Sequence, residues 1–148
     1  MQKALLAVNS SNNSLKTAKK AADLYGNKLE KIIILNVLLT PIIDLKEVQC
    51  VTKECLEELK RINIKEVVER SVKILDKVGL FFENKPVEVE KVIKYGNPAE
   101  VICNLAKKNK CDLIIIADKG ENKGGKFKFG CVSERVVRHA ETSVLVIK

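Results

Sequence analysis

Short apolar runs alternate with longer amphipathic stretches along the chain. Ala4–Val8 is unbroken and apolar, the length of a buried strand. Asn9–Ser14 follows as a cluster of small polar residues suited to a turn and a helix cap. Leu15, Ala18, Ala21, Ala22 and Tyr25 recur at helical spacing, and Gly26 is the expected stop. Ile32–Leu35 and Val37–Leu39 predict a second strand interrupted at Asn36 and closed by Thr40-Pro41. Residues 41–50 read as a loop, and Thr52 as the cap of a long helix reaching about Val78, with Gly79 as its stop. The apolar positions of that helix, among them Leu56, Leu59, Ile62, Val67, Ile74 and Leu75, recur every three to four residues. Val87–Glu90 alternates with period two, as a strand with one wet face does, and Lys91–Tyr95 continues it. Gly96-Asn97-Pro98 turns into a helix with Ala99, Val101, Ile102, Leu105 and Ala106 inside. Lys107, Lys108 and Lys110 suit the negative end of that helix's dipole. Leu113–Ala117 is another buried strand, Asp118–Phe129 a Gly/Lys-rich loop, and Gly130 opens a last helix to about Ala140 before the final strand Ser143–Ile147. The order β-α-β-α-β-α-β-α-β predicts an α/β fold, a parallel sheet with helices on both faces.

Composition narrows the class. The 148 residues suit a single domain over 1–148, with no linker or internal repeat. Aromatics are 4% of the chain, so the core is aliphatic and a base-stacking platform is poorly supplied. No apolar run approaches the roughly 20 residues of a membrane helix, and the N-terminal run is too short for a signal peptide. The chain therefore reads as cytoplasmic, without a membrane partner. Five cysteines without a CxxC pair argue against a disulfide framework and a zinc knot, and one histidine excludes a multi-histidine metal site.

The formal charge of +8 raises nucleic acid as a partner, but its distribution matters more than its sum. Half of the surplus falls between Lys119 and His139, where Lys119, Lys123, Lys126, Lys128, Arg135 and Arg138 outnumber Glu121 and Glu134. Such a local cluster fits a small anion at least as well as a polymer track, and Phe127 and Phe129 are few for a stacking strip. Nucleic acid is thus the weaker reading. In folds of this kind ligands sit beyond the C-terminal ends of strands. The loop after Ala117 carries Gly120, Gly124, Gly125 and Gly130 and runs straight into a helix. Unpaired N–H groups and the dipole at that helix start attract phosphate, and the lysines add to the pull. Composition alone leaves open that these glycines serve only a mobile surface loop.

The spacing takes the argument further. Ala117-Asp118-Lys119-Gly120, nine residues, then Gly130-Cys131-Val132-Ser133, a helix and Ser143–Ile147 strongly resemble the C-terminal signature of the universal stress protein family, Gly-x2-Gly-x9-Gly-(Ser/Thr). Gly96–Glu100, Cys111–Ile115 and the opening Leu5–Ser10 look like further landmarks of that family, so the resemblance covers the whole chain. It implies a Rossmann-like, adenine-nucleotide α-hydrolase-like fold with a five-stranded parallel sheet in the order 3-2-1-4-5. It also implies a homodimer paired through Ser143–Ile147, and a regulatory stress-response role, with ATP or another adenine nucleotide bound in some members and not in others. The resemblance implies binding with at most slow hydrolysis, and no pair of residues in the sequence looks like a general base beside a nucleophile. Carried over by the resemblance, Asn9 and Val37 lie near the adenosine, and Ala117, Gly120, Gly130, Cys131 and Ser133 surround ribose and phosphates. Lys119, with Lys123, Lys126 and Lys128, is added on charge alone.

Three positions depart from the family pattern. Ala117 replaces its first glycine, Cys131 its Ser/Thr, and Asn9 the Asp that ends its first strand. A left-handed Ala117 would cost about 1–2 kcal/mol; at an ordinary strand end it is harmless unless its methyl crowds the ligand. Cys131 is a weak donor but keeps its backbone N–H. Asn9 offers an acceptor oxygen and an NH2, yet not the anionic oxygen that would help hold Mg2+, a loss that Asp118 next to the loop could offset. These departures favour an alternative, a nucleotide-free dimer acting through an unidentified protein partner. Cys131 at a helix start also admits a redox reading, against the plainer one of a Ser-sized replacement. His139, Cys50, Cys55, Cys103 and Cys111 read as structural.

Overall fold

The computed structural model describes residues 2–38, 64–118 and 131–148, without the side chains of Ile64 and Cys131. The 41–50 loop, the Thr52 cap and the Lys119–Gly130 part of the glycine-rich loop lie outside these residues. The elements are β1 (Lys3–Ala7), α1 (Asn12–Tyr25), β2 (Lys31–Leu38), α2 (Ile64–Leu80), β3 (Glu88–Tyr95), α3 (Pro98–Lys108), β4 (Leu113–Ala117), α4 (Cys131–His139) and β5 (Ser143–Ile147). All neighbouring strands are parallel and the sheet order is β3-β2-β1-β4-β5, the expected 3-2-1-4-5.

The period-two alternation of a strand sorts its residues onto two faces. Ala4, Leu6, Ile32, Ile34 and Ile115 face a cluster closed by α1 and α2 through Ala18, Ala21, Ala22, Leu75 and Val78. Leu5, Ile33, Leu35, Ile114 and Ile116 face the opposite cluster, closed by Ala99, Ile102 and Ala106 of α3 and Val136 of α4. The alanines of α1 are wholly buried, so that helix packs close against the strands. Phe82, 1% exposed, belongs to the first cluster just past the end of α2. The strand starts are tied as well. The Lys3 N–H donates to Asp112 Oδ2 at 2.9 Å, and the Asp112 N–H donates back to the Lys3 carbonyl at 2.7 Å.

The two edges differ. On β3, Glu90 sits 2.9 Å from Lys31 of β2, and Lys91 sits 2.9 Å from Asp76 of α2. The hydrogen bond to Glu90 holds the Lys31 ammonium pKa above its ordinary value. Charges of this kind discourage edge-to-edge pairing. On β5, Val144, Leu145 and Val146 are half-buried and Ile147 is buried.

Several boundaries depart from the sequence expectation. β1 begins at Lys3 and ends at Ala7, although Val8 stays buried and donates its N–H to Leu35 at 2.9 Å. β2 runs unbroken through a buried Asn36. α2 continues through Gly79 to Leu80, because one glycine costs a helix only about 1 kcal/mol and the buried Leu75 and Val78 hold this one down. Gly26 follows α1 in right-handed geometry, φ −57°, so close approach and not conformation calls for glycine there: a Cβ would lie 2.9 Å from Lys85 Cγ. α4 is described from Cys131, and Gly130, the expected opening residue, lies outside the described residues.

Gly96 is the described position where conformation does demand glycine. Its φ is +138°, its N–H donates to Leu38 at 3.0 Å, and an added Cβ would meet Val101 Cγ2 at 3.1 Å. Gly96→Ala is expected to cost about 1–3 kcal/mol, read as a lower urea midpoint; an unchanged midpoint would contradict this account.

Candidate functional site

The strand order places a switch point between β1 and β4. From β1 the chain moves outward to β2 and β3, then crosses back to β4 on the other side. The C-terminal ends of these two strands therefore flank the crevice position at which folds of this order take their ligands. Asn9 follows β1, Ala117 closes β4, and the start of α4 returns toward the β4 end.

A short network sets the β1 side. The Asn9 side-chain oxygen accepts the Ser11 N–H at 2.9 Å, and the Asn9 N–H donates to Ser14 Oγ at 2.8 Å. Ser11 caps α1, its hydroxyl oxygen accepting the Ser14 N–H at 3.1 Å. Ser11 and Ser14 are buried while Asn9 is exposed. This is a side-chain-closed turn followed by a helix cap. The Asn9 oxygen thus accepts one hydrogen bond in folding the turn, which leaves the side chain a second lone pair and its NH2 donor. The polarity of Asn9–Ser14 was legible as a cap signal; the use of Ser14 to hold Asn9 was not.

On the β4 side, Ala117 pairs with Ile147 and is half-buried. Among the described non-glycine residues only Lys110, at φ 54°, has a positive φ, so Ala117 carries no left-handed strain. Ser133 is 3% exposed and its hydroxyl donates to the Asp118 carbonyl at 2.8 Å. The Asp118 N–H in turn donates to Ile147 at 3.0 Å. Ser133 thus fastens the first turn of α4 to the end of β4, the role of a positioning residue. Val37 lies near the C-terminal end of β2, half-buried against the α3/α4-side cluster. Lys119, Gly120 and Gly130 fall outside the described residues, as does the side chain of Cys131, whose backbone opens α4.

Other chemistry is sparse. Among the described residues no group of three or more His, Cys, Asp or Glu is placed to hold a metal ion. Asp118 is the carboxylate at the end of β4, and Mg2+ bound with a nucleotide would draw most of its ligands from phosphates and water. Burial pushes the Cys103 and Cys111 thiols up, which keeps them protonated and unreactive. No helix among the described residues is long and apolar enough to cross a membrane.

The comparisons decide the family. The family model described as the universal stress protein family matches residues 1–148. The chain belongs to the universal stress protein family. A universal stress protein of Bacillus subtilis is 26% identical over 149 aligned positions, covering 99% of this chain and 98% of that protein. A universal stress protein A-like protein of Arabidopsis thaliana is 38% identical over 72 residues, a match spanning 46% of this chain and 41% of that one. Among solved structures, a universal stress protein of Lactobacillus plantarum superposes with a TM-score of 0.72 at 20% identity, covering 99% of this chain and 97% of that one. One from Arabidopsis thaliana, solved with AMP bound, gives 0.64 at 21% identity over 100% and 92% of the two chains. One from Archaeoglobus fulgidus, in complex with dAMP, gives 0.66 at 16% identity over 100% and 98%. These likenesses establish the shared fold.

The Ser133 contact yields a stability prediction. Ser133→Ala removes the donor and leaves the Asp118 carbonyl short of a partner, so a loss of about 1–2 kcal/mol is expected in urea unfolding. A variant as stable as wild type would show that the contact does not hold α4.

Proposed function

We propose that this universal stress protein binds an adenine nucleotide, ATP among the candidates, in the crevice between the ends of β1 and β4, and reports the bound state to a protein partner. The observation that carries this reading is the meeting of Asn9, Ala117 and the Ser133-anchored start of α4 at the switch point. The solved relatives of the same fold that carry AMP and dAMP support it, and so does the cationic Gly120–Ser133 stretch of the sequence. In this reading the phosphates meet the N–H groups at the start of α4, drawn by its dipole and by Lys119. Val37 lines the adenosine side, and the Asn9 NH2 donates to the ribose or base. Asn9 being uncharged, Mg2+ arrives with the phosphates and has Asp118 as the protein carboxylate at hand. The function in this reading is binding.

A nucleotide-free mode of action is the second reading. It is favoured by the internal engagement of the Asn9 oxygen and of the Ser133 hydroxyl, both polar groups that a phosphate or ribose would otherwise compete for. Calorimetric titration of Mg-ATP separates the two. The first reading expects a dissociation constant below about 100 μM, weakened roughly tenfold by Lys119→Glu. Absence of binding into the millimolar range would leave the second.

Either mode of action includes a homodimer through β5. Among the described residues its outer side carries no partner strand in the sheet, and after Ser143 its residues are valine, leucine and isoleucine. An open apolar edge of this kind associates readily, and pairing with its own copy about a two-fold axis closes it. Sedimentation analysis should give a dimer for wild type and a monomer for Val144→Pro, which removes a backbone N–H that alternates away from β4 toward that edge. A wild-type monomer at micromolar concentration would refute the arrangement.

A further inference from the structure

A cavity of about 410 Å3 lies between α3 and α4, lined by none of the residues assigned to the nucleotide crevice. Its α4 wall carries Arg135 and His139, one helical turn apart. Its α3 wall carries Glu100 and Asn104, also one turn apart, with the cap residue Asn97 at one end and half-buried Cys103 between them. The charges around this cavity are treated in two different ways. Arg138 pairs with Glu134 at 3.0 Å, and Lys107 of α3 pairs with Glu141 at 3.0 Å. Glu100, Arg135 and His139 line one cavity from opposite sides, yet no ion pair joins them to one another or to any other described residue.

The chemistry of an occupant follows from that opposition. A purely anionic ligand would meet Arg135 and His139 but lie against the Glu100 carboxylate. A purely cationic one would meet Glu100 but lie against the Arg135 guanidinium. A molecule with a carboxylate at one end and an ammonium at the other satisfies both walls. The planar guanidinium of Arg135 suits a carboxylate bidentately, Glu100 takes the ammonium, and Asn104 supplies a neutral donor and acceptor between them. Ala99 and Cys103 give a short aliphatic group an apolar floor. The geometry points to a binding site for a small zwitterion, of the amino-acid class, between α3 and α4. Because these charged groups are exposed, each contact is weak and the expected affinity is millimolar.

Amide NMR spectra of the full chain test the site with three probes. L-Leucine carries both charges, 4-methylpentanoate is leucine without its amino group, and 3-methylbutylamine is leucine without its carboxylate. L-Leucine is expected to give saturable shifts at residues 97–104 and 135–139, and each half-molecule to bind at least tenfold more weakly. Arg135→Gln and Glu100→Gln, both at exposed positions and checked for folding by the same spectra, should each weaken leucine about tenfold. The assignment is overturned if leucine gives no saturable shifts there up to roughly 50 mM, if either half-molecule binds as well as leucine, or if either substitution leaves the affinity unchanged.

Discussion

The structure depends on a single constraint, the burial of the central strands on both faces. In β1, Leu5 and Leu6 are adjacent in sequence, point to opposite sides of the sheet and are both fully buried. A parallel sheet meets this demand only when each face is covered by helices. Helix pairs α1/α2 and α3/α4 supply the two covers. The crossover that puts α3 and α4 on the second face is also what separates the directions of departure from β1 and β4. The crevice at their ends is therefore a consequence of covering the core, and the polar residues beside it are the ones that turn the chain there.

Those residues serve two demands at once. Asn9 must satisfy backbone donors where β1 gives way to α1, and its oxygen does so through the Ser11 N–H. Ser133 must hold a short helix against β4, and its hydroxyl does so through the Asp118 carbonyl. An aspartate at position 9 could fold the same turn while still presenting a charged oxygen; the asparagine here folds the turn and is left with one neutral acceptor lone pair and a neutral donor. The chemistry available to the crevice is thus set partly by what local folding has already used.

Sequence patterning was sufficient where a signal is periodic and local. Ala4–Val8, Ile32–Leu35 and Leu113–Ala117 are apolar runs with no other plausible destination than a two-sided sheet, and Asn97-Pro98 is a cap and first turn that folds as read. The strand order followed from the family resemblance and not from periodicity, which does not distinguish one neighbour from another. Punctuation by glycine misled at Gly79, because Leu75 and Val78 just before it are buried by tertiary packing that a single glycine does not outweigh. Asn36 looked like an interruption because it is polar, but the strand ladder binds backbone groups and passes through it. The roles of Asn9 and Ser133 were only half legible. Residue type announced their hydrogen-bonding capacity, and only the fold reveals which partners consume it.

The cavity between α3 and α4 was illegible for a related reason. Arg135 and His139 are four apart and so share a helix face, but a sequence does not say what lies across from that face. The identity of the opposite wall is a product of packing α3 beside α4 on the same side of the sheet. α4 thereby has three faces in use within nine residues: Val136 in the core, Ser133 at the end of β4, and Arg135 with His139 on the cavity. A helix this short moves as one body. Because α4 is fastened to the end of β4 and also walls the cavity, an influence of an occupant of the crevice on an occupant of the cavity has a direct route through its position.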